Sequence, residues 1–429
     1  MAHTSTVLSQ LLRLVSRHDF ESLAREHHCG QRLRKISRWD QFVSLLMAQL
    51  GGRQSLRDIE ANMNGPSARR YHLGVGRVAR SSLARVNERQ SHTLYEALFG
   101  RLLSRCQAHA PRHKFRFHNP LYSLDASLIE LSLAIFPWAD CNRTKAAMKL
   151  HVGLDHRGYF PAFATVTEGA RHEAPVGRAF DFPKGSIVVI DKGYTDYGWY
   201  KQLTEKGTFF VTRQRPNAIY RVVERRAVNQ AQGVSCDQII ELTASKWQTL
   251  GVPRLRRVGY RDAQTGKRYV FLTNHMGLSA KTIADLYKDR WQVELFFKAL
   301  KQNLKIRAFV GNSPNAVLTQ IWVALCAYLL MTYLRFVSRT GWSVQRMMRV
   351  LQANLFAKSD LMALIKPRPP VDKSSPPQLA LWAGGKCGTA VGQTPFIHDL
   401  LFVIRQPVLH PSSVVHLQIM TAVGSDPFY

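Results

Sequence analysis

The sequence predicts an α/β chain: a mixed sheet flanked by helices, preceded by an N-terminal helical domain and interrupted by a β-rich insertion. Apolar residues recur at helical spacing from residue 8 to about 110, the period changes to strand-like alternation near residue 120, and helical spacing returns at Ser279.

In the first region, residues 1–115, the helical positions are Leu11, Leu12, Leu14 and Val15, then Phe42, Leu45, Leu46 and Leu50, then Leu94, Leu98, Leu102 and Leu103. Basic residues lie thickly between them. Arg32, Arg34, Lys35 and Arg38 come first, followed by Arg69, Arg70, Arg77 and Arg80 among Gly65, Pro66, Gly74 and Gly76. An arginine-studded helical module of this kind reads as a DNA-binding region, or as a solvated helix face; no helix-turn-helix is clear enough to name.

The next region, 116–340, opens with alternation. Leu121–Phe136, Ala147–Asp155 and Phe160–Thr167 read as three strands, with His156-Arg157-Gly158 as a turn. A helix near Ala174–Phe180 follows. The apolar run Ser186–Asp191 then reads as a fully buried strand. A three-strand meander, a helix and a strand is the order of a ribonuclease-H-like sheet. Residues 206–277 form the β-rich insertion, with strands at Gly207–Arg213, Ala218–Val223, Gln238–Leu242, Arg254–Arg261 and Arg268–Thr273. Its cations Arg254, Arg256, Arg257, Arg261, Lys267 and Arg268 suit contact with phosphates. Residues 341–429 read as a C-terminal helical region and tail, with a Pro-rich linker at Lys366–Pro377.

Composition narrows the partners. The 429 residues carry 59 Lys and Arg against 29 Asp and Glu, a net charge of +30, so a polyanion such as nucleic acid is the natural counterpart. With 45% hydrophobic residues, wholesale disorder is excluded. Cys29, Cys106, Cys141, Cys236, Cys326 and Cys387 include no CxxC pair, which argues against a zinc ribbon or disulfide framework and fits reduced thiols in a cytoplasmic protein. His27-His28-Cys29 reads as an exposed polar turn, and the N-terminus lacks the pattern of a secretory signal. Val317–Leu334 approaches membrane-span length but carries Thr319, Gln320 and Thr332, and reads as a buried core helix.

The segment Ser279–Leu304 holds the most chemistry. At about 100° per residue, Tyr287, Arg290, Glu294 and Lys301 fall on one narrow stripe beside the apolar Leu286, Val293, Phe297, Leu300 and Leu304. The stripe reads either as an ion-paired surface, Arg290 with Glu294, or as an acid flanked by phosphate-binding cations. Asp125 interrupts an apolar strand, and Asp191 ends another, where open α/β sheets place their sites. Each alone reads more readily as a turn residue or helix cap. Together with Glu294 they form a set of oxygen ligands for a pair of Mg²⁺ ions, with Mn²⁺ able to substitute.

At these residues the chain resembles a family. Tyr287, Arg290, Glu294 and Lys301, with the blocks LDASLIELSL, IDKGYTDYGWY and GTFFVTRQRPNA, resemble the YREK signature and neighbouring motifs of DDE-type bacterial insertion-sequence transposases, insertion-sequence family four. The resemblance implies a ribonuclease-H-like core with Asp125, Asp191 and Glu294 as the catalytic, metal-binding triad. It implies DNA contacts by Tyr287, Arg290, Lys301, Lys298 and Trp291, the last as a stacking partner for a flipped base or a packing residue. Cut-and-paste chemistry, terminal inverted repeats and target DNA as substrates, a homodimer on DNA and a nucleoid-associated location follow by analogy. His172-Glu173 stands where relatives often have His-Asp, and Lys192 where Arg is common; Glu173 is a candidate supporting group. A non-catalytic DNA-binding protein and a host nuclease on the same core are the rival readings.

Overall fold

The computed structural model describes residues 5–65, 67–142, 145–304 and 308–366. Pro66, Cys387, the tail and, from residue 367, the Pro-rich linker lie outside the described residues.

The N-terminal region folds as α1 (Val7–Leu12), α2 (Arg17–Glu26), α3 (Arg38–Gly51), α4 (Leu56–Met63), α5 (Ser67–Leu73), α6 (Arg80–Arg89) and α7 (Thr93–His109). Helix α3 starts at a capping box, in which Ser37 and Asp40 satisfy each other's backbone N–H groups. Arg38 is not a DNA-facing cation: it is buried, donates to the Ser91 carbonyl at 2.6 Å and lies over Tyr95.

The sheet follows as β1 (Leu121–Leu131), β2 (Asp140–Asn142), β3 (Lys145–Asp155) and β4 (Phe160–Glu168), then α8 (Glu173–Ala179), β5 (Ile187–Ile190), α9 (Tyr197–Glu205) and β6 (Phe209–Arg213). Strand β1 stops five residues short of the expected end, because Ile135 and Phe136 fold back to donate to the Ser132 carbonyl just before Pro137. Helix α9, capped by Asp196, was not legible as a helix. The inserted strands β7 (Tyr220–Arg225) and β8 (Val234–Leu242), the short α10 (Ser245–Thr249), and β9 (Leu255–Arg261) and β10 (Arg268–Thr273) complete it.

These strands make one ten-stranded sheet. Strand β3 pairs antiparallel with β1 and β4, while β1, β5 and β6 run parallel, which gives the ribonuclease-H-like order β4-β3-β1-β5-β6. The inserted strands extend this sheet in the order β10-β9-β8-β7. Alternation along β5 sends Ile187 and Val189 toward the core with Ile283 and Leu286, and Val188 and Ile190 toward the core with α9.

The helical stretch from Ser279 is two helices, α11 (Ala280–Asp289) and α12 (Trp291–Asn303), meeting at Arg290. Ser279 caps α11 by accepting from the Thr282 N–H. At the junction Arg290 N donates to the Tyr287 carbonyl at 3.2 Å, a tighter i to i−3 turn.

Helix α13 (Pro314–Ser338) is the expected core helix: it is long and apolar enough to span a membrane, but 89% of its apolar window is buried inside the protein. It shares one hydrophobic core with α3, α7, α12 and α14 (Val344–Asn354), and α15 (Leu361–Ile365) closes the described chain. The buried thiols of Cys106 and Cys326 donate to carbonyls across the α7–α13 contact, and neither is in a disulfide.

Candidate active site

Parallel pairing places the two aspartates side by side. Leu124 of β1 is in register with Ile190 of β5, and the next residue on each strand is an acid, Asp125 and Asp191. Glu294 comes from the first turn of α12, whose Val293, Phe296, Phe297 and Leu300 are buried in the core. The narrow stripe therefore does border the core.

Arg290 joins the three acids. Its Nη1 donates to Asp125 Oδ2 at 2.6 Å, its Nη2 donates to Glu294 Oε1 at 2.8 Å, and Nη2 stands 3.8 Å from Asp191 Oδ1. The Tyr287 hydroxyl donates to the same Asp191 oxygen at 3.4 Å. The guanidinium Nε is buried without a hydrogen-bond partner. Burial pushes the Asp125 carboxyl up to about 6, against the attraction of Arg290 and with the charges of Asp191 and Glu294 adding to the rise. Burial lowers Arg290, but the surrounding carboxylates outweigh it and hold its proton more firmly than usual. Burial likewise pushes the Tyr287 hydroxyl up to about 12.

A second, buried network braces this junction. The Ser123 hydroxyl and His156 Nε2 are 2.7 Å apart, and His156 Nδ1 is 2.8 Å from Asp289 Oδ2. Lys114 and the Tyr159 hydroxyl also donate to Asp289. Ser123 lies two residues from Asp125 and Asp289 precedes Arg290, so the network ties the strand that carries one acid to the turn that carries the guanidinium. The sequence reading passed over all three residues. The signals were a serine inside an apolar strand and a histidine treated only as a turn.

Behind Asp191, its Oδ2 accepts from Gly193 N at 3.0 Å, and the buried Tyr194 hydroxyl is 2.9 Å from His151 Nδ1. Burial, then Lys149 and Arg171, lowers His151 to about 3, so the ring is neutral. Glu173 lies close by: a Cβ added at Gly193 would fall 2.1 Å from Glu173 Oε2. Gly193 thus lets this carboxylate lie close against the Asp191 loop, and a side chain there would displace it. Trp291 is 58% exposed at the start of α12, Lys298 is exposed on the same helix, and Lys301 is partly buried a turn further on.

Three of the insertion's cations have structural partners, beginning with Arg254, which donates to Glu241 Oε1 at 2.6 Å on the surface. Arg256 is buried, with both forks on Asp237 at 2.8 and 2.7 Å, and donates to the carbonyls of His275, Met276 and Leu278. Arg257 is held by Gln214 and Gln238. Arg256 and Arg257 are thus not free for phosphate.

Among the described residues no three His, Cys, Asp or Glu side chains already stand as a ligand set, because the guanidinium lies in their midst. The donors nonetheless fit a hard divalent cation. They are all oxygens, and three carboxyl groups stand against the one guanidinium of Arg290.

A ribonuclease-H-like sheet that gathers two strand aspartates and a helix glutamate defines the class of DDE-type polynucleotide-processing domains. Residues 117–330 match the family model described as the transposase DDE domain, and residues 3–76 match a domain of unknown function. The chain is 33% identical over 296 residues to a Sinorhizobium fredii protein named as transposase y4zB, covering 68% of this chain and 81% of the relative. It is 29% identical over 263 residues to a Geobacillus stearothermophilus protein named as the transposase of insertion sequence element IS5377, covering 61% and 68%. To a Synechocystis protein named for element IS4SA it is 23% identical over 247 residues, covering 56% and 67%. The chain belongs to the DDE-type insertion-sequence transposases: it is a DNA transposase, of a family that uses divalent metal ions.

Proposed function

We propose that this transposase carries out cut-and-paste transposition of the YREK, family-four kind, with Asp125, Asp191 and Glu294 as its catalytic triad. The observation that carries the reading is the convergence of these three carboxylates on the single guanidinium of Arg290. Asp125, Asp191 and Glu294 would hold two Mg²⁺ ions, or Mn²⁺ in their place, which when bound activate an attacking water or 3′ hydroxyl and stabilise the leaving oxygen.

The chain's own groups do the positioning. Arg290 and Tyr287, together with Lys298 and Lys301 further along α12, face the phosphates near the cleaved end. Trp291, exposed at 58%, offers a ring on which a flipped base stacks. Glu173 and the His151–Tyr194 pair hold the Asp191 loop. The helical module 1–115 grips the terminal inverted repeats, residues 116–340 with the inserted 206–277 do the chemistry, and residues 341–429 complete the chain. Two copies pair the two ends, in the cytoplasm on nucleoid DNA.

The test is a strand-transfer assay with Mg²⁺ on duplexes carrying the element's terminal repeats and a target plasmid. The wild type joins ends; Asp125→Asn, Asp191→Asn and Glu294→Gln bind the same duplexes without cutting them. Cleavage without joining would turn the reading into a nuclease, and undiminished cleavage by the variants would remove the triad.

A further inference from the structure

A cleft of about 640 Å³ opens between the loop after α2 and the helix α6, remote in sequence from every acid of the active site. Arg32, Arg34 and Lys35 line one wall, and Arg85 and Arg89 the other; no Asp or Glu lines it. All five cations are exposed, and none is in an ion pair among the described residues. Elsewhere the protein pairs many of its arginines, as Arg221 and Arg254 with Glu241 or Arg256 with Asp237.

The cleft is built, not a chance gathering of surface charge. Gln90, at the end of α6, accepts from the Cys29 N–H at 3.2 Å and donates to the Cys29 carbonyl at 2.5 Å, which fixes the loop to the helix. Ile36 is buried and Leu33 packs on the core, while Arg32, Arg34 and Lys35 between and beside them are turned outward. On α6, Ser82, Arg85 and Arg89 fall within about 60° of one another at 100° per residue. Ala84 and Glu88 line a different cavity on its other side. The single acid of this stretch is thereby kept out of the cleft.

We propose that this cleft seats the phosphate backbone of duplex DNA, and so gives a role to the helical module whose first part matches a domain of unknown function. One phosphate monoester carries at most about two charges, so five unneutralised cations call for phosphates in a row. Charged forks aimed at a backbone position a duplex without reading its sequence. The inference rests on the DNA-binding role proposed above for residues 1–115, and it names the surface that performs it.

Cys29 is exposed and lines the same cleft, which supplies a local probe. The full chain in EDTA is mixed with a 30-bp duplex of arbitrary sequence at low salt, and iodoacetamide labelling of the Cys29 peptide is followed by mass spectrometry. Bound DNA slows labelling by about tenfold, because a thiol must be accessible to react. The double variant Arg85→Gln/Arg89→Gln lowers the slope of log affinity against log salt by about two. Arg32→Gln/Arg34→Gln, on the opposite wall, does the same, and unchanged thermal midpoints show that both variants are folded. If the duplex binds while Cys29 labels at its free rate and the slopes stay put, the cleft is not the seat, although the DNA-binding reading stands. Stronger protection by an RNA duplex than by DNA overturns the assignment of the ligand, and failure to bind any duplex removes both readings.

Discussion

Arg290 Nη1 stands 2.6 Å from Asp125 Oδ2, and the same guanidinium reaches Glu294 at 2.8 Å, so one positive charge sits among three negative ones. A divalent cation drawn to these oxygens competes with the guanidinium for them. Arg290→Gln is therefore predicted to bind Mn²⁺ at least as tightly as the wild type, by calorimetric titration. It is also predicted to cleave transposon ends about a hundredfold more slowly, because the charge proposed above to face the scissile phosphate is gone. Weaker Mn²⁺ binding by the variant would show that the guanidinium supports the metal site instead of contesting it.

The Ser123–His156–Asp289 network predicts a different signature. Asp289 is buried and accepts from Lys114 and Tyr159 as well as facing His156, so Asp289→Ala leaves the buried His156 and the half-buried Tyr159 hydroxyl without their partner. The expected loss of folding stability is about 3 kcal/mol in urea melts. Asp289→Asn keeps the shape and loses less stability. If the network positions Arg290, that variant lowers the maximal cleavage rate while leaving DNA affinity unchanged; a variant with wild-type rates makes the network purely structural.

Much of this architecture was legible because it depends on local periodicity. The SIVVID run gave β5, and the stripe on the late helix placed Glu294 beside the core where it stands. Asp125 and Asp191 were visible as acids at strand positions, but their adjacency depends on the Leu124–Ile190 register, which no local pattern encodes. The break at Arg290 was hidden because neither Gly nor Pro marks it. The buried state of Arg38 and Arg256 was hidden too. An arginine reads as surface until its partner is known, and the partners Ser91 and Asp237 lie 53 and 19 residues away.

Glu96, in the first turn of α7, carries a pH-dependent cost. It is buried, and burial pushes its carboxyl up to about 7 from the usual 4.5. The folded state therefore holds this proton more tightly than the unfolded chain does. Its stabilising contribution is full below about pH 4.5 and is lost as pH rises through about 7, a change on the order of 2 kcal/mol. Glu96→Gln is predicted to melt higher than the wild type at pH 8 and alike near pH 4, by calorimetry at both. Equal midpoints at pH 8 would mean that the carboxylate is solvated when charged.

Asp125, proposed above as a metal ligand, obeys the same sign. Its carboxyl is raised to about 6 from 3.8, so the ionised form that a metal needs is the form that weakens the fold, over the window between those values. Asp125→Asn removes that ionisation and keeps the volume. At pH 7 without metal it is predicted to be more stable than the wild type by about 1 kcal/mol, since burial outweighs the lost pairing with Arg290. Adding Mg²⁺ then separates the two proteins: the wild type gains thermal stability because the ion binds only the folded chain, while the variant, short of one ligand, gains little. Equal Mg²⁺-induced shifts in wild type and variant would place the ion elsewhere and detach Asp125 from the metal. An Asp125→Asn protein less stable than the wild type in EDTA would instead show that its ion pair with Arg290 holds the site together, so that the cost of ionising the buried carboxyl is compensated within the fold.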